Sequence, residues 1–382
     1  MPAYPGVAAF STFGYQNVYI PGYMGDGELQ KRLMVGFTLN EEEFPLNNYV
    51  TVFGADEPKF FYNRWYSADF ARLPHATGLD MRWADGAERP RAGEGPRFDA
   101  VSVETLRYGD LDYIGDQVVD LSKIGPLIPI RQQAMAGKFM LLRAAMTQTE
   151  LTTSTNYPSS GTKHYYATWT ALAADAVAQG YPANYFGVSG VNFIGDGTLN
   201  DPLIGKAIKH GVLQILKRSN GRVKPQDLML LMNPNTANRL ANTQEVRVYI
   251  AQQINAIDTI KGQGDTAIWP TFGLPNPLYG LKVLVDPTVK VTTKQDHVNE
   301  DSQVFVVQDG LFSIIARPGA VSGMPGSEGF GSLALWQDKK FAMKPETFPD
   351  PQNRRIALGF ADKFAVQLAA PEVTFTIADV FA

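Results

Sequence analysis

From Ile356 to Leu368 the chain alternates with a period of two. Ile356, Leu358, Phe360, Phe364, Val366 and Leu368 take the even positions, and Arg355, Lys363 and Gln367 fall between them. Successive side chains of a strand point to opposite faces, so the spacing predicts one long strand with a single buried face. Asp362 alone breaks the apolar set. Pro371 ends the run, Val373, Phe375 and Ile377 resume the alternation, and residues 333–343 are the expected neighbour.

A second organising stretch covers residues 227–290. It opens with the apolar run 228–232, followed by Asn233-Pro234, which reads as an N-cap with proline at the first helical position. The helix carries Ala237, Leu240 and Ala241 on one face. Asn242 then reads as a second N-cap with Glu245 as its capping-box partner. Val246, Tyr249, Ile250 and Ile254 keep helical spacing. A Gly- and Pro-rich connection ends in Leu274-Pro-Asn-Pro-Leu-Tyr-Gly-Leu-Lys-Val-Leu-Val-Asp-Pro287, a turn feeding a buried strand. The physics of this unit gives an α+β fold class and no function.

Elsewhere, Met135, Phe139, Leu142 and Met146 form one stripe on a helix running from Pro126 or Ile130 to Thr149, about 30 Å long. Proline is tolerated at its start. Residues 169–179 form a helix stopped by Gly180. Asp201-Pro202 caps another helix, with Ile204, Ile208, Val212 and Ile215 on one face and Gly221 beyond its end. Residues 303–316 read as a strand pair turned at Asp309-Gly310. Residues 77–83 and 98–108 read as the two arms of a long hairpin, with turn chemistry between them. A two-stranded ribbon is marginal alone in water, so one that projects needs another surface. Residues 1–67, rich in Gly, Pro and aromatics, also need a surface against which to bury their rings.

The hydrophobic strand, Asn-Pro and helix, followed by Leu-Tyr-Gly-Leu-Lys-Val-Leu-Val-Asp, resembles the central domain of tailed-phage major capsid proteins, the Hong Kong 97-like fold. The resemblance covers residues 68–382. It implies an N-terminal arm (1–67), an extended E-loop hairpin (68–118) and a peripheral domain (119–186 and 330–382) with a long spine helix and a long antiparallel ribbon. It further implies a central axial α/β domain (187–329). The function implied is a shell subunit that self-assembles as hexamers and pentamers into an icosahedral shell around double-stranded DNA of a tailed bacteriophage. The resemblance also implies a virion location after assembly in the host bacterial cytoplasm. A portal and a decoration protein are further partners of such shells. No charged, coiled-coil-like segment precedes the arm, so a scaffolding protein is expected from another chain. The runner-up is an encapsulin-like shell enclosing protein. An enzyme with a diffuse carboxylate site is the alternative of another class.

Composition and motifs bear on chemistry chiefly by exclusion. The chain has no cysteine, which rules out disulfides and thiolate chemistry. Its net charge is −4, with no run of basic residues, so DNA is expected to be enclosed without sequence-specific binding. The first residues lack the pattern of a signal peptide, and no apolar run approaches membrane-span length. We therefore expect a soluble intracellular product with no membrane partner. No phosphate-binding loop, His-Glu-x-x-His or nucleophile elbow occurs, so no catalytic residue, cofactor or metal is expected. Of the four histidines, His75, His164, His210 and His297, none has a ligand pairing nearby. His210 is expected on a helix surface, and Asp110, Asp112 and Asp116 at a solvated hairpin base.

The loop itself suggests contact chemistry. Arg72, Arg82, Arg89, Arg91, Arg97 and Arg107 are interleaved with Asp80, Asp85, Glu88 and Glu94. Mixed signs suit pairing across an interface. The expected inter-subunit contacts are Arg82, Arg89, Arg91, Arg97, Glu88 and Glu94, with Arg89, Arg91 and Arg97 setting the loop's register on its neighbour. In the Hong Kong 97 phage a loop lysine cross-links to a neighbour's asparagine. No lysine lies between Lys59 and Lys123, and arginine is not nucleophilic at ordinary pH, so no such cross-link is expected here.

Overall fold

The computed structural model describes residues 44–65, 98–115, 127–157, 163–183, 185–186, 203–257, 271–293, 302–321 and 329–381. In chain order these form β1 (Val50–Ala55), β2 (Lys59–Trp65), β3 (Phe98–Glu104), β4 (Leu106–Gly115) and helix α1 (Leu127–Thr152). Next come β5 (Tyr165–Thr168), α2 (Trp169–Ala178), α3 (Leu203–Arg218), β6 (Leu228–Met232), α4 (Pro234–Ala241) and α5 (Gln244–Ile257). The rest are β7 (Lys282–Val285), β8 (Val289–Val291), β9 (Gln303–Phe305), β10 (Phe312–Ala316), β11 (Leu333–Asp338), β12 (Lys344–Asp350), β13 (Arg355–Leu368) and β14 (Phe375–Asp379).

The alternating strand of the sequence is β13, and it organises the first sheet. β4 pairs antiparallel along one edge, from Arg355↔Gly115 to Phe364↔Leu106. β12 and then β11 take the other edge, and β1 adds parallel to β11. The even-numbered side chains of β13 face α1, where Phe139 stacks on Phe360 at 5.0 Å. Of the helix stripe, Met135 and Phe139 are buried, while Leu142 and Met146 lie at the margin of the same core. Both predicted elements therefore meet on their predicted faces.

The second sheet has the order β5-β14-β10-β6-β7. Its middle strands β6 and β10 are buried at every position, as continuous apolar runs require when both faces are covered. Helices α2 and α3 supply Trp169, Leu172, Ile204, Ile208 and Ile215 to the surrounding core. β5 and β14 join this sheet, although the long elements just before them, α1 and β13, belong to the first.

Three local expectations are corrected. β3 pairs with β2, from Lys59↔Glu104 to Trp65↔Phe98, whereas the expected arm at 77–83 lies outside the described residues. The chain leaves this ribbon at Thr105, whose N–H donates to the Pro58 carbonyl at 2.9 Å, and continues as β4 in the first sheet. Residues 303–316 are not a strand pair: β9 pairs with β8, and β10 lies between β6 and β14. A fully buried β10 needs partners on both edges, which one hairpin arm would not supply. Finally, the N-cap of α5 is Thr243, whose Oγ1 accepts from the Val246 N–H at 3.4 Å. Asn242 instead closes α4 by donating to the Asn238 carbonyl at 2.9 Å.

Candidate functional site

Glu245 does not cap its own helix. It is buried, and its two carboxylate oxygens accept from the N–H groups of Ile204 (2.9 Å) and Gly205 (2.8 Å) at the start of α3. A carboxylate at a helix N-terminus satisfies orphan donors and favours the helix dipole. Tyr279 donates to the same Glu245 at 2.6 Å from a backbone φ of 47°, next to Gly280 at 86°. Gly205 makes room for this arrangement, since a Cβ there would lie 3.0 Å from the Tyr279 ring. One carboxylate thus ties α3, α5 and the turn before β7. Glu245→Ala would leave two backbone donors and a phenol unpaired, and we expect a loss of about 3 kcal/mol in urea unfolding of the unassembled subunit. A change below about 0.5 kcal/mol would contradict this role.

His210 is buried rather than on a helix surface. The rings of Tyr181, Phe186 and Phe375 surround it edge-on at centroid distances of 5.5, 5.5 and 6.1 Å. Its Nε2 lies 3.1 Å from the Gln214 amide, and Nδ1 has no partner among the described residues. His164 is also buried, and its Nδ1–H donates to the Thr374 carbonyl at 2.8 Å. The two histidines therefore flank adjacent residues, Thr374 and Phe375. Burial pushes each imidazole down to about 4.

Across the first sheet, Arg143 of α1 and Asp362 of β13 form a bidentate pair, Nε to Oδ2 and Nη2 to Oδ1, both at 2.8 Å. The break in the β13 alternation is this buried carboxylate. Asp110 and Asp112 also serve the helix, pairing with Lys138 at 2.9 Å and Arg131 at 2.8 Å. Both pairs are exposed, so Asp110 and Asp112 are solvated as expected and also link strand to helix; Asp116 lies outside the described residues. No group of metal-ligating side chains occurs among the described residues.

Among the described residues, two apolar surfaces stand open. Trp336 carries the ribbon β2–β3: Phe60 and Tyr62 of β2 pack on its ring at 5.1 and 5.7 Å, while Phe53 of β1 stacks on it at 4.6 Å. On the ribbon's other face Phe61 is 65% exposed. The first sheet's face opposite α1 has small residues along its middle, Ala357, Gly359 and Ala361. Tyr113 and Phe348 flank Ala357 in register, and Leu111 and Glu346 flank Gly359. Large side chains beside a small-residue strand leave a groove of about 240 Å³ bordered by Leu111, Glu346 and Phe348. The sequence-predicted contact residues Arg82, Glu88, Arg89, Arg91, Glu94 and Arg97 lie outside the described residues. None of the sequence patterns announced the groove, because alternation reports only which face is apolar.

No protein-family model matches the chain, and no curated protein sequence does. Solved structures do. One similar structure is the asymmetric unit of the bacteriophage PhiM1 mature capsid, at 12% identity and a TM-score of 0.50, covering 94% of this chain and 91% of that one. Another is the capsid structure of Cyanophage P-SCSP1u, at 12% identity and a TM-score of 0.50, covering 94% and 98%. The chain has the Hong Kong 97-like fold that its sequence resembles.

Proposed function

We propose that this chain is the major capsid protein of a tailed bacteriophage, a structural subunit that self-assembles as hexamers and pentamers into an icosahedral shell. The observation that carries the reading is a capsid fold shared over 94% of the chain with a phage capsid subunit. The core between α1 and the first sheet is its peripheral part, and the core around the second sheet its axial part. The chain before β1 supplies an arm and the chain between β2 and β3 an extended loop, with α1 as spine, while β1 and β4 stay with the first sheet. The shell encloses double-stranded DNA, forms in the host bacterial cytoplasm and takes a scaffolding protein and a portal from other chains.

The loop reaches an adjacent subunit from the ribbon β2–β3, and Arg89, Arg91 and Arg97 register it there. Phe61 supports this reading, because a large ring so exposed on a two-stranded ribbon calls for cover. Phe61→Ser is expected to leave the unassembled subunit's stability within about 0.5 kcal/mol and to reduce the yield of sedimenting shells severely. Alanine at Arg89, Arg91 and Arg97 together is expected to do the same. Unchanged shell yield in both variants would refute the loop's role.

A further inference from the structure

The most lopsided charge in the chain lies on α3 and the turn after it. Residues 203–226 hold six of the 34 basic residues and none of the 38 acidic ones. α3 turns Ile204, Ile208, His210 and Ile215 inward, and Lys209, Leu213 and Lys217 outward. Lys209 and Lys217 are eight residues apart on one helix, about 12 Å along its axis. Arg222 and Lys224 carry the exposed cationic line past Gly221, whose φ of 70° turns the chain.

Three carboxylates of the elements around this helix are already engaged. Asp227 pairs with Arg317 at 2.5 Å. Asp175 accepts from Tyr166 at 2.7 Å and Gln179 at 2.6 Å, and pairs with Lys163 at 3.3 Å. Glu245 is buried at the opposite end of α3. Lys209, Lys217 and Lys224 make no ion pair among the described residues. A row of lysines around one exposed leucine is poor material for a protein interface, whose core is depleted in lysine and anchored by aromatic residues and arginine. It suits a backbone of regularly spaced phosphates, where each lysine releases condensed counterions.

We propose that the outward face of α3, continued by the turn 219–224, binds double-stranded DNA through its phosphates without reading its sequence. This rests on the reading that the shell encloses DNA, and it assigns the surface that would face that DNA.

The test measures binding of a labelled duplex of about 20 base pairs, of mixed sequence, to the full chain across about 50–200 mM salt. It compares the native chain with one carrying Lys209→Gln, Lys217→Gln and Lys224→Gln, and with one carrying arginine at the same three positions. The log–log salt slope of the glutamine variant should be shallower by about 2.7, at roughly 0.9 per lost phosphate contact. The arginine variant should keep the native slope, which also covers the case of a misfolded glutamine variant. Absence of duplex binding by the native chain, or equal slopes in native and glutamine chains, would overturn the proposal. Binding of polyglutamate in place of the duplex would also overturn it, in favour of an acidic protein partner. Shell formation followed by electron microscopy is scored separately. Shells without duplex binding would sink this inference alone, and no shells would sink the reading on which it rests.

Discussion

Asp362→Ala is expected to destabilise the unassembled subunit by about 3–5 kcal/mol, because it strands a buried guanidinium. Asp362 is fully buried, and the Arg143 side chain is 7% exposed. Besides the two bonds from Arg143, the carboxylate accepts from the Met343 N–H at 3.0 Å, and Arg143 lies over the Phe364 ring at 5.2 Å. A buried pair of this kind often adds little net stability, yet removing one partner leaves an uncompensated charge. Arg143→Met with Asp362→Leu should therefore recover most of the loss. A double-mutant cycle by urea unfolding measures the coupling. A single-mutant loss under about 1 kcal/mol would contradict this account. What the pair contributes is position: it fixes where along β13 the helix α1 sits.

Acidification from about pH 6.5 to 4 is expected to remove roughly 3 kcal/mol of stability for each of His164 and His210. Burial is the main cause of both depressed values. At His164 the Thr374 carbonyl opposes burial and Arg218 reinforces it. At His210 Asp175 opposes burial and Lys217 reinforces it. The sign follows from where protons bind. Above about 6.5 both states hold neutral imidazoles, and the histidine contribution is intact. Between 6.5 and about 4 the unfolded chain takes up protons that the folded chain refuses, so stability falls as pH falls. Below about 4 both states are protonated and this contribution levels off. Both side chains bear on Thr374 and Phe375, so β14 should loosen first, seen as early amide exchange at residues 375–379. Glutamine at both histidines should flatten the profile between pH 6.5 and 4. The same slope in the double variant would refute the assignment.

Elements whose signal is local were legible in the sequence. The alternation in β13 and the stripe in α1 each named a buried face, and the two faces meet. Asn233 caps α4 as its sequence suggests, accepting from the Thr236 N–H at 2.7 Å. What escaped was pairing across distance. Period-two spacing identifies a strand's face but not its partner, so β2 could not be matched to β3. The Glu245 pattern fits a capping box, yet the carboxylate reaches Ile204 and Gly205, 41 and 40 residues upstream. Asp362 read as a blemish in an apolar run because its partner Arg143 lies 219 residues away. His210 read as surface because a helix of mixed composition does not disclose which polar residue turns inward.

On the proposed function, this chain completes its burial only in the company of copies. Electron microscopy of the purified chain under assembly conditions tests that most directly. Closed icosahedral shells with fivefold and sixfold clusters of subunits are the expected result. A population consisting only of compact monomers or small oligomers, stable at high concentration, would contradict it.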